Sequence, residues 1–395
     1  MLSRKMDFGI SICSAATILG LLSTGNPLTF LTTTWSILTA RTALETMAAV
    51  ILVGVLSGVC RNYGILDRIV SNLKIVVANP RIILMAVPGI IGLLPVPGGA
   101  AMSVPFVDSI AEDYGVSPTR KAAMNLVFRH AGMLLMPFST TVIVALSILG
   151  PYGVTYGLLV SRTGFYVLFN MVIGYFIFMR TVPTRQTRQP EGDRNQAVRD
   201  LLLNLSPILT VVFIAFTIKP PIYICVGLGI LVAYVISDKK DFVRVLLKVT
   251  NPKMALIIVG INMMQGFIQK LDHVIYTLTG TLGDGAMAIF AFAMTSAFLA
   301  LITGVSLTPL GIILPLVVAI PQSTSMLLAN TYLIFTASFL GYYFSPLHLC
   351  QVLTVEYLKC STQGLLKEYR LYAAGLLTIA MVGYALFWSV AGWLA

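Results

Sequence analysis

Long apolar runs constrain the fold of this chain more than any other feature. Seven runs are long enough to cross the hydrocarbon core of a bilayer, about 30 Å thick. They are residues 8–24, 46–60, 154–179, 201–218, 221–236, 253–269 and 371–394. With 57% hydrophobic and 10% charged residues in 395, the composition excludes a string of soluble domains. We therefore predict an all-α polytopic membrane protein.

Four further apolar regions are interrupted by Pro, Gly and polar residues: 82–110, 119–150, 286–320 and 323–359. Irregular backbone at membrane depth persists only where it is buried in protein or lines a polar cavity. We predict 82–110 and 286–320 to be re-entrant hairpins. We predict 119–150 and 323–359 to be transmembrane helices broken in the middle, the first between Gly132 and Pro137 and the second between Gly341 and Pro346.

The two halves of the chain resemble each other in order. Val53-Gly54 matches Val259-Gly260, LDRIVSNL from Leu66 matches LDHVIYTL from Leu271, and the Gly–Pro spacing of the two broken helices is the same. A polar stretch rich in Arg, Gln and Pro lies between the halves. The pattern predicts an N-terminal repeat over 1–180, a cytoplasmic linker over 181–200 and a C-terminal repeat over 201–395.

The distribution of positive charge predicts the orientation. With the N-terminus inside, most of the 26 Lys and Arg residues fall on the cytoplasmic side. Only Arg41, Lys219 and Lys270 fall outside, while Arg129 and Arg162 are embedded. The additional crossing at 201–218 makes the two repeats run in opposite directions. We therefore predict two inverted-topology repeats in a multi-pass protein of the cell membrane, with a cytoplasmic N-terminus.

Two amphipathic stretches, 27–45 and 238–250, are predicted to be helices that lie along a membrane interface. They occupy the same place in each half.

The interrupted segments are the predicted binding site. Half-helix N-termini favour anions, whereas unwound carbonyls and hydroxyls favour Na⁺. Ionisable residues inside a membrane are costly and usually functional. The predicted substrate-binding residues are Pro97, Gly98, Gly99, Arg129, His130, Gly132, Ser139, Thr140, Thr303, Ser306, Thr308, Ser345 and His348. A Na⁺ site is predicted near Gly99, Ser139, Thr308 and Ser345.

Structural roles for the ionisable residues are the alternative. Arg129 could pair with a helix-end carbonyl or with Asp108, and the two histidines could be hydrogen-bonded packing residues.

The sequence lacks the motifs that several functional classes require. HExxH, GxSxG and Walker patterns are absent, so we expect no enzyme and no ATP-driven pump. No acidic residue falls in the middle of a plain crossing, which argues against a buried-carboxylate proton relay. The five cysteines occur singly, without CxxC, and are predicted to be core residues. The sequence contains no basic patch with interleaved aromatic residues, so we expect no nucleic-acid binding. We expect no cofactor apart from a coupling ion.

The turn PVPGGAA (Pro95–Ala101), its hydroxyl-bearing counterpart TGVSLTPLG (Thr303–Gly311) and the two broken helices resemble the ion-transporter superfamily. This group includes gluconate permeases, citrate transporters and divalent-anion/sodium symporters, and the chain is most similar to an uncharacterised prokaryotic branch of integral membrane proteins. The resemblance covers nearly the whole chain at the level of architecture.

The resemblance implies a scaffold domain that forms a homodimer and a transport domain that moves like an elevator. It also implies a carboxylate held between the hairpin tips, with Na⁺ or H⁺ as coupling ion. The symporters carry Ser-Asn-Thr at each tip, where this chain has Pro97-Gly98-Gly99 and Ser306-Leu307-Thr308. The coupling ion and the anion specificity therefore stay open.

From sequence we expect a secondary active transporter of a small organic anion in the lipid bilayer. The alternatives are an exporter of arsenite or another inorganic anion, a passive channel of the same architecture, and a non-transporting scaffold or enzyme subunit.

Overall fold

The computed structural model describes residues 8–93, 99–185, 192–238, 241–250, 252–268 and 285–394. Within these residues all regular secondary structure is helical. Six spans of the described residues are long and apolar enough to cross a membrane: Arg41–Asn62, Tyr156–Met179, Arg194–Thr217, Gly285–Thr303, Thr324–Tyr357 and Thr362–Trp393. The prediction of an all-α, multi-pass membrane protein is confirmed.

The described residues of the first half form nine α-helices. They are α1 (Phe8–Thr24), α2 (Pro27–Thr39), α3 (Arg41–Asn62), α4 (Ile65–Val76), α5 (Pro80–Leu93), α6 (Ala100–Glu112), α7 (Pro118–His130), α8 (Thr140–Leu149) and α9 (Tyr156–Gly174). Local signals start several of them. Asn26 accepts a hydrogen bond from Leu28 N at α2, and Ser117 accepts one from Arg120 N at α7. A proline follows each of these caps, where its missing N–H costs nothing.

The second half forms nine described α-helices. They are α10 (Arg194–Thr217), α11 (Ile222–Ile236), α12 (Phe242–Val249), α13 (Pro252–Ile268), α14 (Gly285–Thr303), α15 (Leu307–Ala319), α16 (Thr324–Phe344), α17 (Leu349–Tyr357) and α18 (Thr362–Leu394). Pro207 and Pro315 lie inside α10 and α15 without ending them. The predicted segment LDHVIYTL lies outside the described residues.

Several predicted boundaries are wrong because hydropathy locates the apolar part of a helix and not its ends. The run 46–60 begins five residues earlier, at Arg41, so the stretch 27–45 is divided between α2 and α3. The linker 181–200 is shorter than predicted, since α10 begins at Arg194, after Asp193 accepts a hydrogen bond from Asn195 N. The last run, predicted to begin at 371, begins at Thr362.

The two interruptions are also shifted. A 3₁₀ turn over Ala131–Leu134 follows α7, and α8 begins at Thr140 instead of Pro137. In the second interruption Gly341 remains helical and α17 begins at Leu349 instead of Pro346. Gly341 is needed for close packing: a Cβ there would lie 2.0 Å from the carbonyl oxygen of Ala297 on α14.

Helix packing brings the two halves together. In one group α1 packs against α13, α11 against α3, and α3 against α13. In the other, α5 packs against α7 and α14 against α16. Cross-contacts join the halves in this second group: α8 packs against α15, α17 against α6, α18 against α7, and α16 against α9. The interruptions therefore lie inside a packed assembly of helices from both halves.

The end of α9 is held by two arginines. A π-helical turn over Tyr175–Met179 continues α9. Arg81 at the start of α5 donates to the carbonyl of Val182 at 2.6 Å, and Arg120 of α7 donates to the carbonyl of Ile177. The Arg120 guanidinium thus satisfies a carbonyl in the last turn of the helix, and the Arg81 guanidinium holds the chain just beyond that turn.

Candidate functional site

The two interrupted segments meet at a pair of histidines. His130 is the last residue of α7, and His348 directly precedes α17. Their ring centroids are 4.8 Å apart, at an interplanar angle of 64°. Tyr342 of α16 contacts both rings, at centroid distances of 5.4 Å from His130 and 3.9 Å from His348. Residues from both halves of the chain therefore form one buried cluster.

One face of α7 carries polar side chains through the interior. Lys121, Asn125 and Arg129 recur at intervals of four residues, so they lie on the same side of the helix. All three are buried. The Lys121 ammonium is 2.7 Å from a carboxylate oxygen of Asp108, and the Asn125 amide donates to the Thr354 hydroxyl at 3.1 Å. The polar face leads from an ion pair near the start of α7 to Arg129 at its end.

His130 is held in one orientation by the backbone. Its Nδ1 lies 2.7 Å from the carbonyl oxygen of Leu126, one turn earlier in α7. Because a carbonyl only accepts, Nδ1 carries the proton, and in the neutral ring Nε2 is then an acceptor. The Tyr343 hydroxyl donates to the same carbonyl at 2.7 Å. The histidine ring and the tyrosine hydroxyl therefore share one hydrogen-bond acceptor, the carbonyl oxygen of Leu126.

Arg129 and His348 have unsatisfied polar atoms. Arg129 is 4% exposed and His348 is 2% exposed. Nη1 of Arg129 and both ring nitrogens of His348 are buried without a hydrogen-bond partner. In the described part of the chain no carboxylate lies within ion-pairing distance of Arg129. The alternative pairing with Asp108 is wrong, since that carboxylate is held by Lys121.

Buried polar groups in folded proteins are nearly always hydrogen-bonded. Nη1 of Arg129 and the two ring nitrogens of His348 are therefore the atoms of this cluster that are free to bind a polar ligand.

The loop between α14 and α15 packs against the second interruption. Gly304 has a φ of +67°, and a Cβ there would lie 2.6 Å from the carbonyl oxygen of Leu347 and 2.9 Å from His348 N. The Ser345 hydroxyl donates to the carbonyl of Leu301 at 2.6 Å. These contacts fix the backbone that leads into His348.

Two of the other predicted site residues in this second half make hydrogen bonds within the protein, and the hydroxyl of a third does not. The Thr303 hydroxyl donates to its own helix at Leu299 O, 2.7 Å away, and the carbonyl of Ser306 accepts from the Ser338 hydroxyl at 2.9 Å. Thr308 Oγ1 is buried without a partner.

The predicted residues of the first half are less closely grouped. Gly132 faces Leu93 of α5, since a Cβ at Gly132 would lie 2.6 Å from its side chain. Ser139 and Thr140 lie at the start of α8, which packs against α3 and α15. Gly99 precedes α6. Pro97 and Gly98 lie outside the described residues. The Na⁺ site near Gly99, Ser139, Thr308 and Ser345 stays a prediction.

Sequence reasoning missed two members of the cluster. Tyr342 was not singled out, and Cys350 was assigned to the core as a single cysteine. A ligand-capable atom of each of His130, His348 and Cys350 lies within 4.8 Å of the others. The His-x-Cys spacing at the start of α17 is a weak signal in the sequence. Its third member is more than two hundred residues away, so only the fold reveals the group.

Two cavities lie elsewhere on the described surface. One of about 370 Å³ is lined by residues of α3, α8 and the start of α11, including Glu45, Ser147 and Pro221. Another of about 740 Å³ lies between α11 and α12, around Tyr234 and Arg244. Neither is lined by a predicted site residue, so the buried cluster is the stronger candidate.

Comparison with known proteins identifies a family. The family described as "Protein of unknown function (DUF401)" matches residues 1–390, nearly the whole chain. No curated protein matches the sequence.

Proposed function

We propose that the chain, which belongs to the DUF401 family, is a secondary active transporter of a small organic anion, a carboxylate, coupled to Na⁺ or H⁺. It is not an enzyme in this proposal. Its N-terminus faces the cytoplasm, and elevator-type movement of a transport domain against a dimeric scaffold carries the anion across the cell membrane. The observation that carries the proposal is Arg129, a buried guanidinium without a carboxylate partner among the described residues.

The charge of Arg129 explains why the ligand is anionic. Arginine stays protonated in proteins, and burying its charge costs several kcal/mol unless an opposite charge compensates. A carboxylate matches the planar guanidinium with two parallel hydrogen bonds. Nη1 of Arg129 has no hydrogen-bond partner, and His348, which is close enough for the charge of Arg129 to act on it, offers a further donor or acceptor. A bound carboxylate would satisfy both groups.

Equivalent contacts support the inverted repeat. The packing of α3 against α11 corresponds to that of α13 against α1. The packing of α8 against α15 corresponds to that of α17 against α6, and α7 against α18 to α16 against α9. In each of these pairs, the second contact is made by the equivalents, in the other half of the chain, of the two helices that make the first contact. This is expected of two repeats related by a pseudo-two-fold axis.

One arm of each predicted hairpin is too short to cross the bilayer, whereas α14, the first arm of the second hairpin, has 19 residues and is long enough to cross. Both α6 and α15 have 13 residues. A helix of this length rises about 20 Å at 1.5 Å per residue, less than the hydrocarbon thickness of about 30 Å. Helices too short to cross, next to interrupted helices, favour a binding site near the middle of the membrane.

Transport in proteoliposomes tests the proposal. The purified chain is reconstituted, and uptake of labelled mono-, di- and tricarboxylates is measured with an imposed Na⁺ gradient, an imposed proton gradient, and neither. We expect saturable uptake of one carboxylate class that requires one of the two gradients. Uptake of no carboxylate under either gradient would contradict the proposal. Single-channel currents would favour the passive channel, and flux restricted to arsenite or other inorganic anions would favour the exporter.

A further inference from the structure

We propose that His130, His348 and Cys350 bind one transition-metal ion of the Zn²⁺ class, and that the fourth coordination position of this ion receives the transported anion. The binding of the metal stands independently. The role of the fourth position rests on the proposed transport function.

The spacing of the donor atoms is close to that of a metal site. One ligand-capable atom from each residue lies within 4.8 Å of the other two. Zinc binds nitrogen at about 2.0–2.1 Å and sulfur at about 2.3 Å, so tetrahedral ligand atoms lie roughly 3.5 Å apart. The separations, up to 4.8 Å, would therefore shorten by at most roughly 1.3 Å when a metal binds. Two imidazoles and a sulfur favour zinc or a softer ion over Mg²⁺ and Ca²⁺, which prefer oxygen ligands.

His130 has the supporting contact that metal-binding histidines typically have. Such residues usually donate their second ring N–H to a carbonyl or carboxylate, which fixes the ring and directs the other nitrogen toward the metal. The Nδ1 of His130 makes this contact with Leu126 O, and the Tyr343 hydroxyl holds the same carbonyl. The remaining nitrogen, Nε2, is available as a ligand.

His348 is the group that most requires a ligand. It is 2% exposed, and neither ring nitrogen has a hydrogen-bond partner. The ring is positioned by Tyr342, at a centroid distance of 3.9 Å, and its backbone by the close approach of Gly304. A bound metal would satisfy one of the two nitrogens. Without a ligand, a well-positioned and unsatisfied imidazole in the interior is a net cost.

Cys350 supplies the negative charge that a buried cation needs. It is the second residue of α17, and a cysteine binds a metal ion as the thiolate. A divalent ion bound by this thiolate and by two neutral imidazoles leaves one excess positive charge, and the guanidinium of Arg129 adds a second. A carboxylate anion would bind between these charges. The protein supplies three ligands and leaves one position open, as in zinc sites that bind an external ligand.

Cobalt spectroscopy tests the metal site directly. The full chain, purified in nanodiscs and stripped with a chelator, is titrated with Co²⁺ and then with Zn²⁺. We expect one Co²⁺ per chain, visible bands of a tetrahedral ion, a near-ultraviolet thiolate charge-transfer band, and loss of all bands when Zn²⁺ displaces Co²⁺.

Matched cysteine variants assign the sulfur ligand. C350S should abolish the charge-transfer band and weaken Co²⁺ binding at least 10-fold. C360S is the control, because Cys360 is also a free, partly exposed cysteine, and it should leave the spectrum unchanged. H348N should weaken binding by a similar factor. Absence of stoichiometric Co²⁺ binding, or identical spectra for C350S and C360S, would overturn the inference.

Addition of a carboxylate separates the two proposals. In the wild-type chain the anion should shift the visible bands of bound Co²⁺, and R129Q should bind Co²⁺ without this shift. Carboxylate transport by a chain that binds no metal would overturn the metal site and leave the transporter. A stoichiometric Co²⁺ site in a chain that transports no carboxylate would support the metal site and overturn the transporter.

Discussion

Two buried cations on the same face of α7 have opposite environments. Lys121 and Arg129 are two helical turns apart and are 6% and 4% exposed. Lys121 has a carboxylate of Asp108 at 2.7 Å, whereas Arg129 has no carboxylate partner in the described part of the chain. A buried charge that is paired with a counterion of the protein needs no ligand to compensate it. The comparison therefore indicates a structural role for Lys121 and supports the ligand-binding role proposed for Arg129.

The largest expected effect is on ligand binding at Arg129. R129Q should weaken carboxylate binding about 100-fold, roughly 3 kcal/mol, because it removes one partner of a buried charge pair. Stability of the unliganded chain should be unchanged or increased, since an uncompensated charge is removed. A thermal-shift titration with carboxylates measures both quantities. R162Q is the control, since Arg162 is embedded elsewhere and stacks on Phe387 at 4.7 Å. Equal affinity in R129Q and the wild type would remove the distinction between the two cations.

D108N tests the paired cation. It leaves the Lys121 ammonium buried without its counterion and should lower the free energy of unfolding by roughly 2–3 kcal/mol. We place the effect at the low end because the Asp108 side chain is 32% exposed. Equilibrium unfolding in mixed micelles measures it. Carboxylate affinity should stay within about 2-fold of the wild type. A larger loss of affinity than of stability would show that the pair belongs to the ligand site.

G304A tests whether the loop between α14 and α15 positions His348, near Arg129. Alanine in a left-handed conformation costs about 1 kcal/mol. The contact with the Leu347 backbone should raise the total to about 2 kcal/mol and displace His348. Gly25 is the matched control, with a φ of +62° and no neighbouring atom within 4 Å of an added Cβ, so G25A should cost only about 1 kcal/mol. Unfolding free energies of the two variants test this. Equal losses would mean that the loop does not position His348.

Y343F should have the smallest effect. It removes one of two hydrogen bonds to Leu126 O and leaves the bond from His130 Nδ1. The expected loss is about 1 kcal/mol of stability, with less than a 3-fold change in carboxylate affinity. Unfolding and thermal-shift titrations measure the two values. A loss of affinity as large as that of R129Q would mean that Tyr343 itself contacts the ligand.

Much of the helical architecture could be predicted because lipid imposes a length and a polarity on each crossing. The residues around His130 and His348 could be selected for the same reason, since a charged or polar group beside a helix interruption is rarely accidental in a membrane. The ends of the helices were harder to predict from the sequence. Arg194 and Thr362 begin helices in polar sequence, where hydropathy carries no signal.

The distinction between Lys121 and Arg129 could not be predicted, because it depends on which carboxylate the fold places nearby. Sequence alone allowed Asp108 as a partner of Arg129, and the structure pairs it with Lys121. Gly341 was expected to interrupt a helix, yet it allows α14 to approach α16. Cys350 resembled any other single cysteine until folding placed it beside His130. Each of these outcomes depends on contacts between residues distant in sequence.

The two guanidinium groups at the end of α9 have a mechanical consequence. Since Arg81 and Arg120 donate to the carbonyls of Val182 and Ile177, α5 and α7 are both linked by hydrogen bonds to the end of α9. A movement that separates α9 from α5 or α7 at this end would have to break these bonds. Substitution of either arginine should therefore loosen the attachment of α9, while His130, at the other end of α7, keeps its own contact with the carbonyl of Leu126.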